Sequence, residues 1–159
     1  MEYRKIEQNT GHEEGRKLLA EIYHRRTGQP LPEILKGARG KPYFPEGDWH
    51  FSISHTKNFV FCVLDNQPIG IDAEELDRDI KLSLADKILS PMEKAQFDAA
   101  ADKKRALLTF WVLKEAAGKM TGEGINGYPN KTNFTLDDPR VTEIDGCLVA
   151  VIKENNYDL

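Results

Sequence analysis

Apolar positions recur at helical spacing near the N-terminus, at Leu18, Leu19, Ile22 and Tyr23, which predicts a helix over 11–27 with Arg25 and Arg26 near its end and Gly28 closing it. A short turn or helix is expected at 32–36. Residues 37–45 are so densely punctuated by glycine and proline that an extended segment follows. From His50 the period changes to two. Phe51 and Ile53 alternate with polar neighbours, residues 59–64 are nearly all apolar as in a strand covered on both faces, and Asp65, Asn66, Gln67 and Pro68 supply turn chemistry. Ile69 and Ile71 then alternate with Gly70 and Asp72. The three runs together predict a three-stranded meander over 50–74.

Helical spacing returns at 82–89. Ser90, Pro91 and Glu93 form a capping-box sequence for a helix reaching about residue 101, a role that accounts for Glu93 completely. A longer helix is predicted over 103–121, with Gly122 as its stop. Residues 122–129 read as a loop too irregular and lysine-poor to be a phosphate-binding P-loop. Strands are expected at 133–136, 141–144 and 147–152, the last two as a hairpin through Asp145 and Gly146. Strands, helices and strands grouped in this way give an α+β fold rather than a doubly wound sheet.

Composition narrows the function classes. The 159 residues, 40% of them hydrophobic, suffice for one domain over 1–159 with a real core. No apolar run approaches a membrane span and the N-terminus lacks the apolar centre of a signal peptide, so a cytoplasmic protein without a membrane partner is expected. A net charge of -4 argues against general nucleic-acid binding, which needs a basic field. Cys62 and Cys147 sit in apolar strand-like runs without metal-ligand spacing, which predicts buried, reduced thiols.

Two segments carry candidate chemistry. In the helix over 103–121 the stripe Leu108, Trp111 and Val112 continues through Glu115 and Lys119. Glu115 and Lys119 are either an ordinary i,i+4 surface pair or the lining of a polar cavity under the helix. Upstream, period two places Asp72 and Glu74 on one side of a strand. With Glu115 they would make a compact oxygen cage for a hard cation such as Mg2+. Asp-x-Glu alone is weak, since a chain with 26 acids yields several by chance.

Three ordered motifs, Gly40-Lys41-Pro42-Tyr43-Phe44 followed by Phe51-Ser52-Ile53-Ser54-His55, then Gly70-Ile71-Asp72-Ala73-Glu74, then Trp111-x-x-Lys114-Glu115-Ala116-x-x-Lys119, resemble one family. The chain is similar, over roughly residues 12–152, to the 4'-phosphopantetheinyl transferase superfamily in its larger surfactin-synthetase-activating, Sfp-like form. The resemblance implies two similar α+β halves in a pseudo-dimeric fold, the first about 1–65 and abbreviated, the second about 68–159. Its opening strand would be missing or reduced to the stretch from Tyr3 to Ile6. Because both halves' motifs occur in one chain, a monomer is expected.

The implied activity is that of a holo-acyl-carrier-protein synthase. The phosphopantetheine arm of coenzyme A passes to a serine of an apo acyl or peptidyl carrier protein, and adenosine 3',5'-bisphosphate leaves. By resemblance Asp72, Glu74 and Glu115 would hold Mg2+, and Lys114 and Lys119 would face phosphate oxygens. Glu115 or a metal-bound water would serve as base. Lys41, Ser54 and His55 would contact the phosphates of coenzyme A, although a lone strand-end histidine is also a common structural residue. Trp111 is read as core packing. Residues 78–89, from Arg78 to Leu89, would dock the carrier through Ile80, Leu82 and Leu84 flanked by Arg78, Lys81 and Lys87, or else cap the core. The alternatives are a catalytically silent homologue that binds coenzyme A or a carrier, and an unrelated α+β protein whose acids are merely solvated. Gly118 costs up to about 1 kcal/mol inside a helix relative to alanine, a cost that close approach of the ligand or a neighbouring strand would explain, with no firm account in the sequence.

Overall fold

The computed structural model describes residues 1–125 and 133–157. Its elements are β1 (Glu2–Lys5), α1 (Gly11–Thr27), β2 (Leu35–Lys36), β3 (Pro42–Tyr43), β4 (His50–His55), β5 (Phe59–Asp65) and β6 (Ile69–Glu75). A 3-10 turn at Leu82–Leu84 leads into α2 (Ala85–Ile88), followed by α3 (Pro91–Ala99), α4 (Lys103–Thr121), β7 (Val141–Ile144) and β8 (Cys147–Lys153). The fold is α+β, built on two antiparallel three-stranded sheets. One has the order β1-β5-β4 and the other β6-β8-β7. In each, a first strand leads to a long helix and the chain returns as a hairpin whose last strand takes the middle of the sheet.

Alternation along the two central strands builds the core. Val60, Cys62 and Leu64 of β5 pack with Leu18, Leu19 and Ile22 of α1, while Phe61 and Val63 on the other face meet Ile69, Ile71 and Ala73 of β6 and Cys147 and Val149 of β8. The opposite face of β8, Leu148, Ala150 and Ile152, packs with Leu107, Phe110 and Leu113 of α4. An apolar cluster therefore lies between the sheets, with a helix-covered core on either side. Burying a side chain such as Phe61 contributes roughly 1.5–3 kcal/mol. Both thiols are free and buried, as expected, and burial pushes Cys62 up to about 12 and Cys147 to about 11.

Helix ends follow their sequence signals. Ser90 and Glu93 make both bonds of the capping box, Asp102 caps α4, and Gly28 and Gly122 end α1 and α4 in the left-handed conformation. Asp145 and Gly146, with φ of 49° and 78°, turn the β7–β8 hairpin.

Several expectations need correction. No meander spans 50–74, because β6 pairs with β8 from Ile69 opposite Lys153 to Glu75 opposite Cys147. Periodicity identifies a strand but not its partner, and here the choice is made by the apolar cluster between the sheets. Residues 133–136 form no strand: side chains of Glu93 and Gln96 accept the Phe134 and Leu136 amides that a ladder would need. Residues 32–36 contain no helix, and 37–45 are not simply extended, since β2 and β3 pair across a turn at Gly37 to Gly40. Of the two alternatives for the opening strand, the short form near Tyr3 to Ile6 is the one found, as β1 paired with β5. Of the predicted 122–129 loop, 126–129 lie outside the described residues. Among the described residues no helix is long and apolar enough to cross a membrane.

Candidate active site

The site begins with a glycine. A Cβ on Gly70 would lie 2.0 Å from the Ala116 carbonyl oxygen and 2.6 Å from the Met120 nitrogen, so only glycine lets α4 rest directly on β6. Asp72 and Glu74 continue the same face of the strand, and the close approach sets Glu115 and Lys119 over them. Gly118 has an analogous cause: its carbonyl accepts from the amides of Gly122 and Gly124, and a Cβ there would meet Gly124 backbone at 2.7 Å.

Asp72 is 6% exposed. Its Oδ1 accepts from Lys119 Nζ at 3.2 Å and Ser54 Oγ at 3.3 Å, while its buried Oδ2 has no hydrogen-bond partner among the described residues. Burial pushes its carboxyl up to about 7; Lys119 opposes the shift, and Glu74 and Glu115 add to it. Glu115 is also raised, chiefly by burial, with Lys119 opposing and Glu74 reinforcing. Glu74 Oε1 accepts from Trp111 Nε1 at 3.1 Å and pairs with Arg78 at 2.7 Å, and Arg78 lies over the indole at 5.8 Å. Trp111 is thus more than packing. It holds a carboxylate.

The three carboxylates act on one another electrostatically, yet among the described residues no group of three or more His, Cys, Asp or Glu stands arranged to hold a metal ion. The donor chemistry fits a hard cation all the same. A buried carboxylate oxygen without a partner is costly, and an all-oxygen donor set is what Mg2+ prefers.

The remaining candidates divide around this centre. His55 is exposed and its ring covers Gly11, where a Cβ would come within 2.4 Å of it. It lines a cavity of about 800 Å³ with Gln8, His12, Asn58, Glu74 and Arg78. Lys41, its ammonium pKa lowered by burial, donates to the Met120 carbonyl at 3.0 Å and lines a second cavity of about 260 Å³ with Ile53, Glu115, Lys119 and Gly122. Lys119 also donates to the carbonyls of Ile53 at 3.3 Å and Ile71 at 3.0 Å.

Lys114 does not join the other site residues. It is buried and ion-paired with Glu93 at 2.8 Å, its ammonium over the Phe134 ring at 5.7 Å. Burial lowers its pKa and Glu93 works against that shift. In the 78–89 segment Ile80 and Leu84 pack on the core, whereas Leu82 is 44% exposed. Sequence reasoning missed Ser52, buried with its Oγ accepting from the Ile71 amide at 3.1 Å. Its only signal was the two-residue spacing from Ser54.

These features define an α+β protein with a lysine-bridged acidic centre where two sheets meet. The family profile for the 4'-phosphopantetheinyl transferase superfamily matches residues 68–153, the part that contributes all three carboxylates. The chain is 38% identical over 91 residues to the 4'-phosphopantetheinyl transferase Sfp of Bacillus subtilis strain 168, covering 55% of this chain and 40% of that protein. With the 4'-phosphopantetheinyl transferase gsp of Aneurinibacillus migulanus it shares 32% over 131 residues, or 77% and 54% of the two chains. With AcpT of Salmonella typhi it shares 35% over 114 residues, or 68% and 56%. The chain spans about half the length of the curated relatives it matches. It belongs to the 4'-phosphopantetheinyl transferase superfamily, and its relatives are of the Sfp-like kind.

Proposed function

We propose that this chain transfers the 4'-phosphopantetheine arm of coenzyme A to a serine of an apo acyl or peptidyl carrier protein in a Mg2+-dependent reaction. The observation that carries the reading is the unpartnered, buried Oδ2 of Asp72 beside Glu74 and Glu115, within a chain of this superfamily. Asp72, Glu74 and Glu115 would hold the ion. When bound, it supplies charge neutralisation on the pyrophosphate, the dominant need in phosphoryl transfer.

The carrier serine oxygen bonds to the phosphorus that bears the pantetheine arm. The bond from that phosphorus to the bridging pyrophosphate oxygen breaks, and adenosine 3',5'-bisphosphate leaves. Glu115, its pKa raised by burial, is suited to take the serine proton. Lys119 faces charge on the leaving group, and Lys41 and His55, each on a cavity beside the centre, bind coenzyme A phosphates. For Ser54, buried against β6, the family's phosphate contact would require the hydroxyl to leave its present partners. Lys114 anchors α4 through Glu93 instead of touching phosphate.

The shared strand order of the two sheets supports reading residues 1–65 and 68–159 as two related halves of a pseudo-dimer. The enzyme of this proposal is a cytoplasmic monomer. Carrier docking falls to the 78–89 segment, where exposed Leu82 lies among Arg78, Lys81 and Lys87, suited to an acidic carrier. The test is intact-mass spectrometry of an apo carrier incubated with the protein, coenzyme A and Mg2+ beside an EDTA control. A metal-dependent gain of one phosphopantetheine arm is expected. No gain across several carriers, with coenzyme A still bound, would replace the transferase with the binding-only homologue.

A further inference from the structure

Strands β4 and β6 come from different sheets and lie side by side, yet no backbone ladder joins them. Side chains supply the rungs. Ser52 Oγ accepts the Ile71 amide and Ser54 Oγ accepts the Ala73 amide, both at 3.1 Å, and Lys119 Nζ bridges the Ile53 and Ile71 carbonyls. The residue spacing is two on each strand and runs in the same direction, so the strands are parallel here. Serine suits the task because its short side chain allows close approach while its oxygen satisfies a buried N–H.

The two serines differ in one respect. Among the described residues Ser52 Oγ bonds only to backbone, whereas Ser54 Oγ, with its acceptor side on Ala73, directs its single proton to Asp72 Oδ1. Lys119 reaches the same oxygen. Both donors converge on Oδ1, and among the described residues Oδ2 is left without a donor. We propose that Ser54 is a positioning residue for the cation: it fixes the Asp72 carboxylate by one oxygen so that the other is presented to Mg2+, while Ser52 serves the seam alone. This rests on the metal reading above and changes the expected role of Ser54 from a phosphate contact to a carboxylate support.

The test compares Ser54→Ala with Ser52→Ala, each titrated calorimetrically with Mg2+ in the presence of saturating coenzyme A, with amide hydrogen exchange followed at Ile71 and Ala73. Ser52→Ala should expose the Ile71 amide to faster exchange and leave Mg2+ affinity within about twofold of wild type. Ser54→Ala should speed exchange at Ala73 and weaken Mg2+ roughly tenfold, the range typical of lost partners behind a metal ligand. A purely structural role predicts equal effects of the two variants on Mg2+. Equal effects, or wild-type affinity in Ser54→Ala, would overturn the proposal. Wild-type protein that takes up no Mg2+ would overturn the metal reading together with this inference, and the wild-type titration separates that failure from failure of the inference alone.

Discussion

Helix α4 carries two lysines into two buried acids, and the two pockets are built to different standards. In the first, Glu93 Oε1 accepts from the Ser90 amide and pairs with Lys114, and Oε2 accepts from the Phe134 amide, so both oxygens are satisfied in a fully buried site. In the second, Lys119 and Ser54 crowd onto one oxygen of Asp72 and the other has no partner among the described residues. Buried polar groups are normally paired, and an exception calls for a cause. The complete pocket holds three segments of chain together. The incomplete one is where a ligand would complete the bonding.

The largest effect should come from Asp72→Asn. Transfer to a carrier, followed by intact mass, should fall by about three orders of magnitude, equivalent to about 4 kcal/mol of transition-state stabilisation. The same change should stabilise the metal-free protein at alkaline pH. The Asp72 carboxyl titrates near 7 when folded against 3.8 as an ordinary aspartate, so the folded state retains a proton that the unfolded chain releases. Stability therefore falls as pH rises from about 4 to about 7, by on the order of a few kcal/mol, and the full cost persists above that window. Asparagine escapes it. Melting curves at pH 8 and pH 4 should show the variant ahead of wild type at the first and level with it at the second. No difference at pH 8 would mean the carboxylate is not penalised by burial, and the contrast between pockets would fail.

Glu93→Ala should do the reverse. It removes the carboxylate that pairs with the Lys114 ammonium and accepts from two amides, and should cost about 3–5 kcal/mol in denaturant unfolding while transfer per folded molecule is retained. A stable but inactive variant would make Glu93 part of the chemistry. Gly70→Ala probes the link between pockets, because its Cβ collides with helix backbone. Lifting α4 from β6 should cost about 1–3 kcal/mol and weaken Mg2+ uptake in the same preparation. The smallest effect belongs to Trp111→Phe, which keeps an aromatic ring and removes the indole donor to Glu74. Losing about 1 kcal/mol of hydrogen bond should weaken Mg2+ about fivefold in calorimetry with little change in melting.

Local signals were legible where chemistry is local. The capping box, the glycine stops of α1 and α4, the Asp145–Gly146 turn and the doubly apolar strand β5 follow from residues within a few positions of one another. The grouping of Asp72, Glu74, Glu115 and Lys119 was readable because strand and helix periods put each pair on one face. For Trp111 the sequence suggests packing alone, because periodicity reports which way a ring points and not where its N–H finds an acceptor.

The sequence by itself determined the α+β class, the extents of its long helices and the identity of its candidate acids, since these depend on period, caps and turn residues. Only the tertiary structure decided that β6 leaves β5 for β8, that two serines and a lysine join strands of separate sheets, and that Lys114 is held by Glu93 while Lys119 reaches Asp72. The physical reason is that a hydrogen-bond donor is indifferent to sequence distance. Lys119 finds acceptors 47 to 66 residues away, and which ones it finds depends on how closely Gly70 lets a helix approach a strand.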